Sequence, residues 1–174
     1  MTSKRPAQGE PLHCCWTWTR FGGLSGDDVY DLLALRSEVF VVEQRCVFLD
    51  ADGADRSAWH LLGRSADSGS RPLVAYLRCL DPHVKYPEPS IGRVIVAPPA
   101  RGIDLGRALM SEGIARSRLA WPGEDIVINA QLRLERFYRS LGFATEGSPY
   151  VEDDIDHVSM RLAAGGARGS ERMR

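Results

Sequence analysis

The apolar positions of this chain change period several times, and each change predicts an element. Cys14–Thr19 (CCWTWT) alternates and predicts a first strand. Ser25 then stands as a helix N-cap, with Asp27 and Asp28 in the first turn. Val29, Leu32, Leu33, Val39 and Phe40 carry a helical stripe to about Glu43. Residues 45–57 are rich in Asp and Gly and read as a loop. Trp59–Gly63 and Leu73–Leu80 predict two strands joined around Ser68–Ser70, and His83–Pro89 is a further loop. A strand at 91–97 and a helix at 104–120 follow, and Trp121–Pro122–Gly123 ends the helix. Ile126–Ile128 is a short, fully apolar run, as a central buried strand would be. Leu134, Phe137, Tyr138 and Leu141 share one helical face, Gly142 follows as the C′ residue, and Phe143–Glu146 and His157–Leu162 close the sheet. The order β-α-ββ-β-α-β-α-β-β predicts one mixed three-layer α/β domain over residues 12–163. Residues 1–11 and 164–174, polar or rich in Gly and Arg, are expected to be disordered extensions.

The most informative stretch is Ile91–Met110, IGRVIVAPPARGIDLGRALM. Pro98 and Pro99 end the strand because proline has no backbone donor. Gly102 and Gly106 flank the start of a new periodic segment (Leu105, Ala108, Leu109). A strand that feeds a glycine-bearing helix start leaves unpaired N–H groups at the positive end of the helix dipole, which suits phosphate.

Composition narrows the partners. A net charge of −1 gives no global attraction to nucleic acid or to an anionic membrane. Lys4 and Lys85 are the only lysines; this excess of arginine reads as codon bias. Cys14, Cys15, Cys46 and Cys79 have neither zinc-site spacing nor disulfide density, so reduced thiols are expected. No run approaches the ~20 apolar residues of a membrane span. The first residues (MTSKRPAQGEP) lack a signal-peptide core. A cytoplasmic location is the expectation.

The run VIVAPPARG, with a glycine four residues further on, then a helix, a short apolar strand and FYRSLGF, resembles the GNAT N-acetyltransferases. LRSEVFVVEQRC, DADGAD, IGRVIV, AQLRLERFYRSLGF and YVEDDIDHVSM resemble the ElaA-like subgroup, over roughly residues 30–162. The resemblance implies a mixed, mostly antiparallel sheet flanked by helices, acetyl-CoA as co-substrate, no metal, and direct transfer to an amine acceptor in a ternary complex. It names no particular acceptor and leaves a homodimer open. Carried onto this chain, Val94, Ile95 and Val96 would hold the pantetheine arm through backbone groups. Arg101, Gly102, Ile103, Asp104, Leu105, Gly106 and Arg107 would wrap the pyrophosphate. Gln131 stands where many members have a cofactor-contacting asparagine, and Tyr138 falls on the general-acid tyrosine. Asp104 replaces the usual inner glycine, so weaker cofactor binding is expected. A non-catalytic acyl-CoA-binding module acting through a protein partner is the alternative.

Acetyl transfer needs a neutral amine, an oxyanion donor (a backbone N–H near Val96) and a proton for the leaving thiolate (Tyr138). Glu43, among Phe40, Val41 and Val42, is expected to be partly buried with a raised pKa and to act as base, with Arg36 as its structural partner. His60 is the second candidate base, and His157 stands in a comparable strand setting. Asp50, Asp52 and Asp55 fail the calcium-loop pattern, since Asp55 and Leu61 occupy its glycine and glutamate positions. They read instead as an acidic loop that draws a cationic amine or as a solvated turn, with Glu152, Asp153 and Asp154 adding to the field.

Overall fold

The computed structural model describes residues 13–67, 69–152 and 154–165. The first expected extension and most of the second therefore lie outside the described residues, as do Ser68 and Asp153. Seven strands form one sheet: β1 (Cys14–Arg20), β2 (Trp59–Ser65), β3 (Leu73–Leu80), β4 (Ser90–Val96), β5 (Ile126–Gln131), β6 (Ala144–Glu152) and β7 (Ile155–Leu162), in the order β1-β2-β3-β4-β5-β7-β6. Every neighbouring pair is antiparallel except β4 and β5.

The β4–β5 pair shapes the molecule. It is parallel and holds a single register pair, Ser90 with Val127, plus a bond from Val127 N–H to the Pro89 carbonyl at 3.0 Å. Beyond that point the strands part. The register of β4 against β3 also shifts across Arg93, whose φ of 53° is left-handed. A bulge of this kind re-aims a strand, and a non-glycine residue there is strained.

Helices cover the two faces. α1 (Gly26–Arg36) begins with a reciprocal cap: Ser25 Oγ accepts from Asp28 N–H at 3.1 Å, and Ser25 N–H donates to the Asp28 carboxylate at 3.0 Å. Such a cap is worth about 1 kcal/mol. Its apolar stripe (Leu32, Leu35), continued by Val39 of the segment that follows, packs with Leu62, Tyr76 and Ile95. The single helix expected to reach Glu43 is in fact two segments, because Ser37–Glu43 widens into a π-helix. The stripe alone does not separate the two, since the hydrophobic spacing barely changes.

α2 (Leu105–Ala120) and α3 (Glu135–Arg139) cover the other face through Leu109, Met110, Ile114 and Tyr138, packed on Leu61, Leu77, Ile128, Val158 and Met160. α2 lies close to β3: a Cβ on Gly113 would stand 2.6 Å from Leu77 Cδ2. Gly142 follows α3 with φ 95°, which lets Phe143 N–H return to the Tyr138 carbonyl at 3.2 Å. β6 runs to Glu152, further than the expected Glu146, and β5 extends to Gln131. No helix among the described residues is long and apolar enough to cross a membrane.

Candidate active site

Where β4 and β5 part, the sheet opens into a cleft of about 550 Å³. Val94 of β4, Gln131 of β5 and Tyr138 of α3 line it together. The period of two along β5 explains this lining. Ile126, Ile128 and Ala130 face the buried core, so Asn129 and Gln131 face the other way. The same alternation on β7 buries Val158 and Met160 and turns His157 and Ser159 toward Gln131 and Asn129, their register partners.

Tyr138 is wedged between the ring edges of Phe137 and Phe143, at centroid distances of 5.1 and 6.0 Å. Burial pushes its hydroxyl up to about 12, against a small opposing pull from Arg133. The phenol is therefore protonated at neutral pH, as a proton donor must be. Gln131 donates to Gln44 Oε1 at 3.1 Å, which ties the end of the π-helical segment to β5 across the cleft.

The loop expected to hold pyrophosphate starts α2 just outside this cleft. Gly102 (φ 81°) and Asp104 (φ 60°) are both left-handed. Such turns point successive N–H groups to one side and form an anion-binding concavity. Asp104 is the helix N-cap but makes no side-chain cap bond; its exposed carboxylate lies 3.4 Å from Arg107 Nε. This explains why glycine suits the position: its demand is for φ, and aspartate is among the few side chains that meet it. The N–H concavity at the α2 start suits an anion, and the opened strand edge suits an extended ligand.

Ile95 is buried toward α1, pairs with Tyr76 of β3 and does not line the cleft. Val96 pairs with Ala75 of β3, and its carbonyl accepts from Arg101 Nε at 3.0 Å. The same arginine grips Glu43 with two bonds of 2.8 and 2.9 Å.

That grip corrects the expectation for Glu43. Its side chain is 41% exposed. The hydrogen bond and charge of Arg101 hold its carboxyl below the usual range, with a smaller help from Arg133. A depressed, paired carboxylate is a poor base at neutral pH. Arg36 is not its partner. Arg36 is fully buried and bonds Asp50 at 2.7 Å and Asp55 at 2.8 Å.

His60 is also corrected. It is fully buried and does not line the cleft. Its Nδ1 lies 2.8 Å from Tyr76 Oη and its Nε2 2.9 Å from the Asp55 carbonyl, so both ring nitrogens are engaged. Burial lowers its pKa, only partly offset by the bond to Asp55. It is a satisfied core histidine.

The acidic loop is neither a solvated turn nor an open negative field. Arg78 bonds Asp52 twice at 2.7 Å and Asp55 at 2.9 Å, and Arg93 bonds Asp50 at 2.7 Å and Asp52 at 3.3 Å. Burial would raise Asp52, but the bonds and charge of Arg78, aided by Ala54 N–H and Arg93, hold it at about 2. Asp55 is likewise lowered by Arg36 and Arg78 against its burial. Three arginines thus neutralise three aspartates and lash the 45–57 loop onto the end of α1 and the sheet. No group of three His, Cys, Asp or Glu able to hold a metal occurs among the described residues.

Sequence reasoning missed Tyr86, Asn129 and Ser159. Asn129 donates to Tyr86 Oη at 2.6 Å, and Ser159 donates to Asn129 Oδ1 at 3.3 Å. Polar alternation on β5 and β7 marks Asn129 and Ser159, whereas Tyr86 lies in the 83–89 loop, where no periodic signal points to it.

Comparison with known proteins agrees with this fold. The acetyltransferase (GNAT) domain profile matches residues 72–164. A UPF0039 protein of Synechocystis is 46% identical over 145 residues, covering 83% of this chain and 92% of its own. Protein ElaA of Escherichia coli is 39% identical over 147 residues, covering 83% and 94%. The crystal structure of an acyl-CoA N-acyltransferase from Pseudomonas aeruginosa superposes with a TM-score of 0.80 at 37% identity, over 87% of this chain and all of that one. That of Escherichia coli ElaA gives 0.79 at 37% identity, over 86% and 99%.

Proposed function

Because this chain belongs to the GNAT acyltransferases, in their ElaA-like group, we propose that it transfers the acetyl group of acetyl-CoA directly to an amine in a ternary complex. The observation that carries this reading is the opened β4–β5 edge, with a protonated, buried Tyr138 on the cleft and a left-handed N–H concavity at the start of α2. The thioester supplies an activated acyl carbon. The 101–107 loop would hold the pyrophosphate, and the backbone of Val94 and Val96 would align the pantetheine arm. Alignment of this kind is worth about 7–11 kcal/mol of barrier. A backbone N–H near Val96 would stabilise the developing oxyanion, a role typically worth about 3–4 kcal/mol. Tyr138 would protonate the leaving sulfur. Four cysteines with neither zinc-site spacing nor disulfide density support a reducing, cytoplasmic setting.

The test is release of free CoA thiol from acetyl-CoA across a panel of aliphatic, polyamine and peptide N-terminal amines, with Tyr138→Phe alongside. Turnover with at least one amine is expected, with kcat lowered on the order of 10²–10⁴-fold in the variant and CoA binding retained. Tight CoA binding without turnover on any amine would favour the non-catalytic binding module instead.

A further inference from the structure

We propose that His157 is the general base that removes a proton from the acceptor amine. This inference rests on the acetyltransferase reading above and names a residue for the one role that neither Glu43 nor His60 fills.

His157 stands near the start of β7 and lines the cleft with Tyr138. Its Nδ1 lies 2.8 Å from the carbonyl of Ile155. A carbonyl only accepts, so in the neutral ring Nδ1 carries the proton and Nε2 keeps its lone pair. No described group hydrogen-bonds Nε2, whereas both nitrogens of His60 are engaged. The ring stacks on Tyr150 at 6.2 Å with an interplanar angle of 27°, and it sits opposite Gln131 in the β5 register. The backbone bond and the stack together fix the tautomer and the ring plane, and only one basic atom is left open. That arrangement is what a base requires: a held ring with a free acceptor.

The step balances. Nε2 takes one proton from the acceptor ammonium, which frees the nitrogen pair to form the C–N bond to the acetyl carbon as the C–S bond breaks. Tyr138 gives its hydroxyl proton to the sulfur. The second proton leaving the nitrogen restores Tyr138 through solvent, and the imidazolium returns its proton to solvent.

The test compares wild type with His157→Asn, which keeps a donor toward the Ile155 carbonyl, and with His157→Gln. Two nucleophiles are used near neutral pH: the fastest primary amine of the panel, which is cationic, and hydroxylamine, which is neutral. The expected result is an amine-transfer loss on the order of 10²–10⁴-fold with hydroxylamine transfer kept within several-fold. Acetyl-CoA should still give its thermal shift in both variants. In ¹⁵N-labelled wild type, at a pH where the ring is neutral, the proton of His157 should be found on Nδ1. Amine transfer retained in both variants would overturn the proposal. So would an equal loss with both nucleophiles, or an Nε2–H tautomer. Failure of wild type to use any amine would instead refute the acetyltransferase reading itself.

Discussion

Replacing Glu43 by Gln separates two roles for that residue by the sign of the effect. A base at this position would lose on the order of 10²–10⁴-fold in kcat on conversion to the amide. The structure implies a different outcome. Glu43 holds Arg101 through two bonds of 2.8 and 2.9 Å, while Arg101 Nε occupies the Val96 carbonyl that the pantetheine arm is proposed to use. A pantetheine arm bonded there, as proposed, would compete with this arginine. The pair is exposed, with side chains 42% and 41% accessible, so its worth is limited by solvent screening. Exposed pairs contribute about 0.2–1 kcal/mol, and two-point geometry places this one near the upper end. Glu43→Gln should therefore tighten CoA binding by up to about fivefold, since about 1.4 kcal/mol is a factor of ten. The gain should shrink with added salt as the wild-type pair weakens. Calorimetric titration of CoA at low and high salt reads the affinity, and thiol release at saturating acetyl-CoA reads kcat. A fall in kcat of two decades or more would refute this reasoning and restore Glu43 as base. Weaker CoA binding would refute it differently, by showing that Glu43 presents Arg101 to the phosphates.

Asp104→Gly removes a left-handed aspartate and a carboxylate beside the proposed pyrophosphate site. Two charges about 6 Å apart in water repel by roughly 0.7 kcal/mol, so CoA Kd should fall by about threefold, as calorimetry would show. Unchanged or weaker binding would argue that Arg107 needs Asp104 as its partner. Asp52→Asn should destabilise the fold at neutral pH by about 1–2 kcal/mol, after allowance for screening of a partly exposed group. Asp52 is held at about 2, below its unfolded value, so its contribution is present above about pH 4 and is lost as pH falls toward 2. The gap between wild type and variant in urea unfolding should narrow over that window. A pH-independent gap would mean the carboxylate charge is not what stabilises the loop.

The element order and the α2 start were legible because they rest on local signals: the proline pair, the glycines and the stripe of Leu105 and Leu109. Tyr138 was found through its helical face and the resemblance of its flanks. Other features were illegible because they depend on partners far away in the chain. Glu43 meets Arg101 across 58 positions, and nothing near Glu43 predicts that contact. Pattern matching likewise showed Asp50, Asp52 and Asp55 as acidic. Only the fold shows Arg36, Arg78 and Arg93 converging on them. His60 and His157 look alike in sequence, each a strand histidine. The fold separates them, one with both nitrogens engaged in the core and one lining the cleft with no described group bonded to Nε2.

The most direct test of the central claim is a thermal-shift titration with acetyl-CoA, CoA and ATP. Saturation at 100 times Kd should add about 2.7 kcal/mol of stability. The account predicts a clear rise in Tm with both CoA species and none with ATP. No shift with either CoA species would contradict it, because the opened β4–β5 edge and the α2 start would then not form a cofactor site.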